Sequence, residues 1–272
     1  MRDALEYYLG FMDRIDGWFD PEAARIIYIL NEIQKRTGIS GNIFEIGVHH
    51  GRMTMLLALL AADGQELRVC DIFRRQELNE SASGSGSLDI FMSNWRKYVN
   101  IPAPKIYEMP SSELSAREIG SNYRIFAIDG GHTADETYGD LSLAAGSIIP
   151  EGIIIIDDYF DQNFPGVSEG VNKFLSKNGD FLPLAMFFNK MAIVRRDSHH
   201  FYRKELLHNL NSDGYLIEEP VFYSARALSI RRITKNQRLI KKMIRPLKSL
   251  TGDSLKGGRL HRIYKNIIRP RG

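Results

Sequence analysis

The sequence predicts an α/β fold built on a mostly parallel sheet, with helices on both faces, and three observations predict it. Short apolar runs bounded by acids, glycine or proline recur along the chain, at Asn42–Val48, Leu67–Cys70, Lys105–Glu108, Ile125–Ile128 and Ile153–Ile156. Segments of helical length alternate with them, which supplies the crossovers that parallel strands need. Two further apolar runs, Phe181–Phe187 and Met191–Val194, meet at Asn189-Lys190. They read as an antiparallel hairpin closing the sheet edge, with Pro183 acceptable only if the first of them pairs weakly or starts late.

Taken in order, residues 1–38 read as a helical cover. Asp20 and Pro21 suit a helix cap and first turn, and Ala24, Ile27, Leu30 and Ile33 mark an apolar face up to Gly38. A cover over the sheet or a contact with a second copy of the chain explains this equally. Residues 39–197 hold the alternating core. Its first strand leads into Glu45-Ile46-Gly47-Val48-His49-His50-Gly51 and a helix over Met53–Ala62. Glycines here let a ligand approach the backbone, and a helix N-terminus favours anionic groups. The G-x-x-x-G spacing departs from the G-x-G-x-x-G of dinucleotide folds, which argues against a nicotinamide cofactor.

The second strand ends at Asp71, placed to accept hydrogen bonds from a ribose lying over the first turn, or simply to cap a turn. Phe73–Ser87 is Gly/Ser-rich and reads as a loop over a pocket, with Gln76 and Asn79 as candidate contacts. Asp89–Val99 reads as a helix. After the third strand, Ser111 and Ser112 can cap a helix or touch the far side of a cofactor.

The stretch organising the chain is Ile125–Tyr159. Its two strands end in Asp129 and in Asp157-Asp158, with His132 about a turn beyond Asp129. Neighbouring parallel strands bring such ends to one spot, where α/β sheets place ligands. Carboxylates with room for water suit magnesium, and a histidine beside them titrates in the range needed to move a proton. Asp140, inside the intervening helix, reads as structural. A loop then leads into a helix from Val167 to about Lys177.

Taken together, Glu45-x-Gly47-x-x-x-Gly51, Asp71, Asp129-Gly130-Gly131-His132 and Pro150-x-Gly152-x-Ile-Ile-Ile-Asp157-Asp158-Tyr159 resemble the class I S-adenosylmethionine-dependent methyltransferases. More narrowly they are similar to the metal-dependent O-methyltransferases of macrolide sugars, the macrocin and mycinamicin type, over about residues 40–195. The resemblance implies a Rossmann-like core and S-adenosylmethionine held by Glu45, Gly47, Gly51 and Asp71, with Ser112 at its adenine side. It further implies a divalent metal, Mg2+ above all, on Asp129, Asp157 and Asp158, and His132 as general base. The acceptor would be a hydroxyl of a sugar or hydroxylated natural product.

Other functions fit less well. A nucleic-acid methyltransferase recruited by a basic tail would be expected to carry an N/D-P-P-Y/F motif, which is absent. A non-catalytic scaffold would be expected to have lost acids that are all present.

Residues 198–231 read as a peripheral extension, a helix over His199–Asn211 and one or two strands within Tyr215–Arg231. Beyond it the charge changes. From Arg231 onward there are 14 Lys/Arg and one acid, leaving 22 of the 36 basic and 32 of the 33 acidic residues to the body. Within 232–272, Leu239, Ile240, Met243, Ile244 and Leu247, then Leu260, Ile263, Tyr264, Ile267 and Ile268, recur at helical spacing between basic residues. Basic amphipathic segments lie on anionic membranes or dock on proteins. An acceptor carried on a lipid would fit the first. The longest apolar stretch, Met53–Ala62, is far short of the ~20 residues of a membrane span. One cysteine, Cys70, excludes an internal disulfide and suits a cytoplasmic protein, peripheral at most to the inner membrane face.

Overall fold

Nine strands form the central sheet of the computed structural model, which describes residues 3–79, 83–99, 101–210 and 214–234. The alternating core comprises β1 (Asn42–Ile46), α3 (Arg52–Leu60), β2 (Leu67–Asp71), α4 (Leu88–Tyr98), β3 (Lys105–Glu108), α5 (Ala116–Ile119), β4 (Tyr123–Ile128), α6 (Ala134–Ser147), β5 (Ile148–Ile156) and α7 (Pro165–Lys177). Before it come α1 (Ala4–Leu9) and α2 (Pro21–Arg36). After it come β6 (Phe181–Phe187), β7 (Lys190–Arg195), α8 (Arg196–Asn209), β8 (Tyr215–Glu218), a small ribbon of β9 (Val221–Phe222) and β10 (Ala225–Arg226), and β11 (Leu228–Arg232).

The sheet order is β3-β2-β1-β4-β5-β7-β6-β11-β8. Strands β1 to β5 pair in parallel, while β7 is antiparallel to both β5 and β6. The hairpin is therefore where the sequence places it, but it does not close the sheet. Strand β11 adds in parallel to β6, and β8 pairs antiparallel outside it. Pro183 survives in this inner strand because the β6–β7 register shifts between Pro183 and Ala185, and β11 pairs only from Ala185 onward.

Alternation along the strands divides the core in two. Ile43, Val69, Ile125 and Ile153 pack against α1 to α4 and α8. Phe44, Phe126, Ile154 and Ile193 pack against α6 and α7. Strands buried on both faces read as continuous apolar runs, as these do. One exception stands inside β4. Arg124 is fully buried, its guanidinium donating to Gln34 Oε1 (2.8 Å), Leu60 O (3.0 Å) and Gln65 Oε1 (3.0 Å). It joins β4 to α2 and α3 where an apolar side chain could only pack.

The N-terminal segment covers the sheet and reaches the strand ends. Asp20 caps α2 by accepting from Glu22 N at 2.6 Å, with Pro21 in the first turn. Arg52, at the start of α3, donates to Gly17 O (2.7 Å) and pairs with Asp13 (2.5 Å), while Tyr8 Oη donates to Arg52 O (2.8 Å). These bonds hold residues 16–20 over the carboxyl end of the sheet. The amphipathic pattern read at Leu239–Leu247 and Leu260–Ile268 lies outside the described residues.

Candidate active site

A cavity of about 870 Å3 opens at the carboxyl ends of β1, β2, β4 and β5. Glu45, Gly47, Asp71, Ser112, Asp129, His132, Asp157 and Asp158 all line it, so residues far apart in sequence share one space.

One side is built by the turn after β1. Gly47 and Gly51 take left-handed φ values of 82° and 89°. A Cβ on Gly47 would lie 1.8 Å from Asp129 O, so only glycine lets this turn pass beside the end of β4. Gly51 caps α3 and faces Phe91. Asp71 shapes the same turn. Its Oδ2 accepts from Val48 N (2.6 Å) and His49 N (2.8 Å), and its Oδ1 from Phe73 N (2.6 Å). Of the two readings of Asp71, ribose acceptor or turn cap, these bonds show the turn cap. Glu45 is 1% exposed, and its Oε2 has no hydrogen-bond partner among the described residues. Burial pushes its carboxyl up to about 8. Gln76 and Asn79 also line the cavity. Asn79 donates to Gly84 O at 2.7 Å and so pins the loop that the sequence placed there.

The other side is the edge of β4 and β5. The register pairs Ile128 with Ile156, and Asp157 N donates to Ile128 O (2.9 Å), so Asp129 and Asp157-Asp158 leave the sheet side by side. Burial first, and the charge of Asp157 second, raise the Asp129 carboxyl well above the usual range. Donor atoms of Asp129, His132 and Asp158 all lie within 4.8 Å of one another, the span of one coordination sphere. His132 Nε2 is 3.1 Å from Asp158 Oδ2, and its ring stacks on Phe164 at 3.9 Å between centroids. Asp158 itself takes a positive φ of 56°, which turns its carboxylate toward His132.

Two site residues escaped sequence reasoning. The β6–β7 turn, with Phe188 and Asn189 at φ 45° and 72°, reaches back over the acids. Asn189 donates to Asp158 Oδ1 at 2.6 Å. Lys190 is 2% exposed and ion-paired with Asp157 Oδ2. Burial opposes its charge, yet Asp157 and Asp129 outweigh burial and raise its pKa. A hairpin turn Asn-Lys reads as surface, so only the strand order, which places β7 beside β5, reveals the role. Asp140 is buried beneath the loop after β4, its Oδ2 3.3 Å from where a Gly130 Cβ would stand.

Residues 44–159 match a protein family described as a methyltransferase domain. Over that segment the chain resembles a methyltransferase domain. A search of curated protein sequences found no match. Solved structures share the methyltransferase's class I, Rossmann-like fold. The O-methyltransferase NovP superposes with a TM-score of 0.53 at 15% identity, over 64% of this chain and 80% of that one. An O-methyltransferase from Bacillus cereus in complex with SAH gives 0.51 at 16% identity, over 72% and 92%. The SAH-bound Podospora anserina methyltransferase PaMTH1 gives 0.50 at 16% identity, over 72% and 89%. Within the methyltransferase, the matched segment contains Glu45 to Asp158, whereas Asn189 and Lys190 lie outside it. Among the described residues no helix is long and apolar enough to cross a membrane.

Proposed function

We propose that this methyltransferase uses S-adenosylmethionine to methylate a hydroxyl of a sugar or hydroxylated natural product, with a divalent metal at the acceptor. The observation that carries the reading is the convergence of the glycine turn and the acid edge on one cavity. The residues present fit both groups. A buried, unpartnered Glu45 oxygen suits the ammonium of the cofactor's methionine end, and Gly47 lines the cavity beside it, while Gly51 packs toward Phe91 and Met55. Asp71 and Ser112 line the same cavity, which supports reading them as the ribose and adenine contacts. For the metal, the carboxylates of Asp129 and Asp158 offer hard oxygens within one coordination sphere, and Asp157 adds to the negative field. That set favours Mg2+.

When bound, the cofactor supplies a methyl group on a sulfonium and the metal polarises the acceptor hydroxyl. The chain's residues do the rest. Asp129 and Asp158 orient the acceptor, His132 takes its proton, and Asp158 and Phe164 hold the imidazole in place. Residues 16–20 and the loop after β2 limit access of water.

Calorimetry with S-adenosylmethionine, joined to turnover of hydroxylated sugar and natural-product panels with and without Mg2+, tests this reading. Saturable cofactor binding and metal-stimulated methyl transfer are expected. Absence of cofactor binding would refute the central claim, and turnover indifferent to metal would refute the metal's role alone.

A further inference from the structure

The acceptor side of the cavity contains a buried ammonium. Lys190 pairs with Asp157 Oδ2, and its Nζ sits 5.0 Å over the Phe19 ring, which closes it from solvent. The other Asp157 oxygen, Oδ1, accepts from Asp158 N at 2.8 Å. Both oxygens of Asp157 are therefore engaged. Asp129, by contrast, has no hydrogen-bond partner for its carboxylate among the described residues, and Asp158 meets the Asn189 amide (2.6 Å) and the His132 ring (3.1 Å) but no ammonium.

We propose that Lys190 is a positioning residue that reserves Asp157, so that the divalent cation of this site is held by Asp129 and Asp158 without it. The inference rests on the metal-assisted reading above and refines it. Asp157 stands outside the group of donor atoms formed by Asp129, His132 and Asp158, and a metal that shared it would meet the repulsion of the ammonium on its Oδ2. Lys190 also sets the charge. Three acids and one ammonium sum to −2, which one divalent ion neutralises; without the lysine the sum would be −3. The backbone delivers the lysine rigidly, because Tyr159 N donates to Asn189 O (3.1 Å) and ties the β6–β7 turn to the acid edge.

The test is Mn2+ binding to the full chain with S-adenosylhomocysteine present, followed by calorimetry and by the electron paramagnetic resonance of the ion. Lys190→Met frees Asp157 and should tighten Mn2+ binding by about tenfold or more. The double variant Lys190→Met/Asp157→Asn removes both partners at no net change in charge and should return affinity to within about threefold of wild type. A double variant weakened by about tenfold or more would make Asp157 a ligand and overturn the proposal. So would a folded Lys190→Met that binds no more tightly than wild type. If the single variant does not fold, the double variant decides alone. A wild-type chain that binds S-adenosylhomocysteine but neither it nor Lys190→Met binds Mn2+ would instead remove the metal from the functional reading, and this inference with it.

Discussion

Asp140 shows what a buried acid does when Ser111 alone offers it a side-chain hydrogen bond. It is 2% exposed, its Oδ2 is unpartnered among the described residues, and burial pushes its carboxyl up to about 7. The unfolded chain releases that proton near 4. Between these values the native state binds more protons than the unfolded one, so this residue's contribution to stability falls as pH rises and levels off above about 7. Asp140→Asn removes the dependence. It should exceed wild type by about 2 kcal/mol at about pH 8 and lose the advantage near pH 4.5, as urea unfolding at the two values would read. The acceptor acids are expected to behave differently. If they serve the acceptor as proposed, Asp129→Ala and Asp158→Ala should keep S-adenosylhomocysteine affinity within about threefold and lose about 100-fold or more in methyl transfer. Wild-type turnover by either variant would exclude that acid from the working site.

At the scale of elements, the turn after β1 and the end of β4 are one construction, since Gly47 leaves no room for a side chain beside Asp129 O. Gly47→Ala combines a left-handed φ with a steric overlap and should cost about 2–4 kcal/mol. It should also weaken S-adenosylhomocysteine binding, because the displaced backbone belongs to both halves of the site. A melting curve with and without that ligand separates the two effects. Elements of this kind were legible in the sequence because strand ends, glycine turns and helix caps are local signals. The acids Asp129, Asp157 and Asp158 could be placed together from two apolar runs alone. Lys190 could not, because its role depends on β7 lying next to β5, a pairing that strand order decides. Arg124 was hidden for a related reason. Its partners Gln34, Leu60 and Gln65 belong to other elements, and the sequence reads only as a charge at the start of a strand.

At the scale of the whole molecule, the sheet is wider than the seven strands read from the sequence, because β11 and β8 extend it past β6. Their short, mixed residues gave only a suggestion of strands. Arg232, at the end of β11, pairs with Asp20 and Glu22 at the start of α2, so the basic segment leaves the body beside the N-terminal cover. We expect residues 235–272 to carry the chain's attraction for anionic surfaces. Sedimentation with phosphatidylserine vesicles should recover the full chain and leave behind one truncated after Thr234, with salt abolishing the difference. Equal recovery of both would assign that segment to a protein contact instead. The β6–β7 turn has a consequence for how the molecule is made. During synthesis Asp129, Asp157 and Asp158 emerge before Lys190, with His132 the basic group beside them. The edge they form gains its ammonium only when β7 pairs beside β5, since Lys190 follows some thirty residues later in the chain.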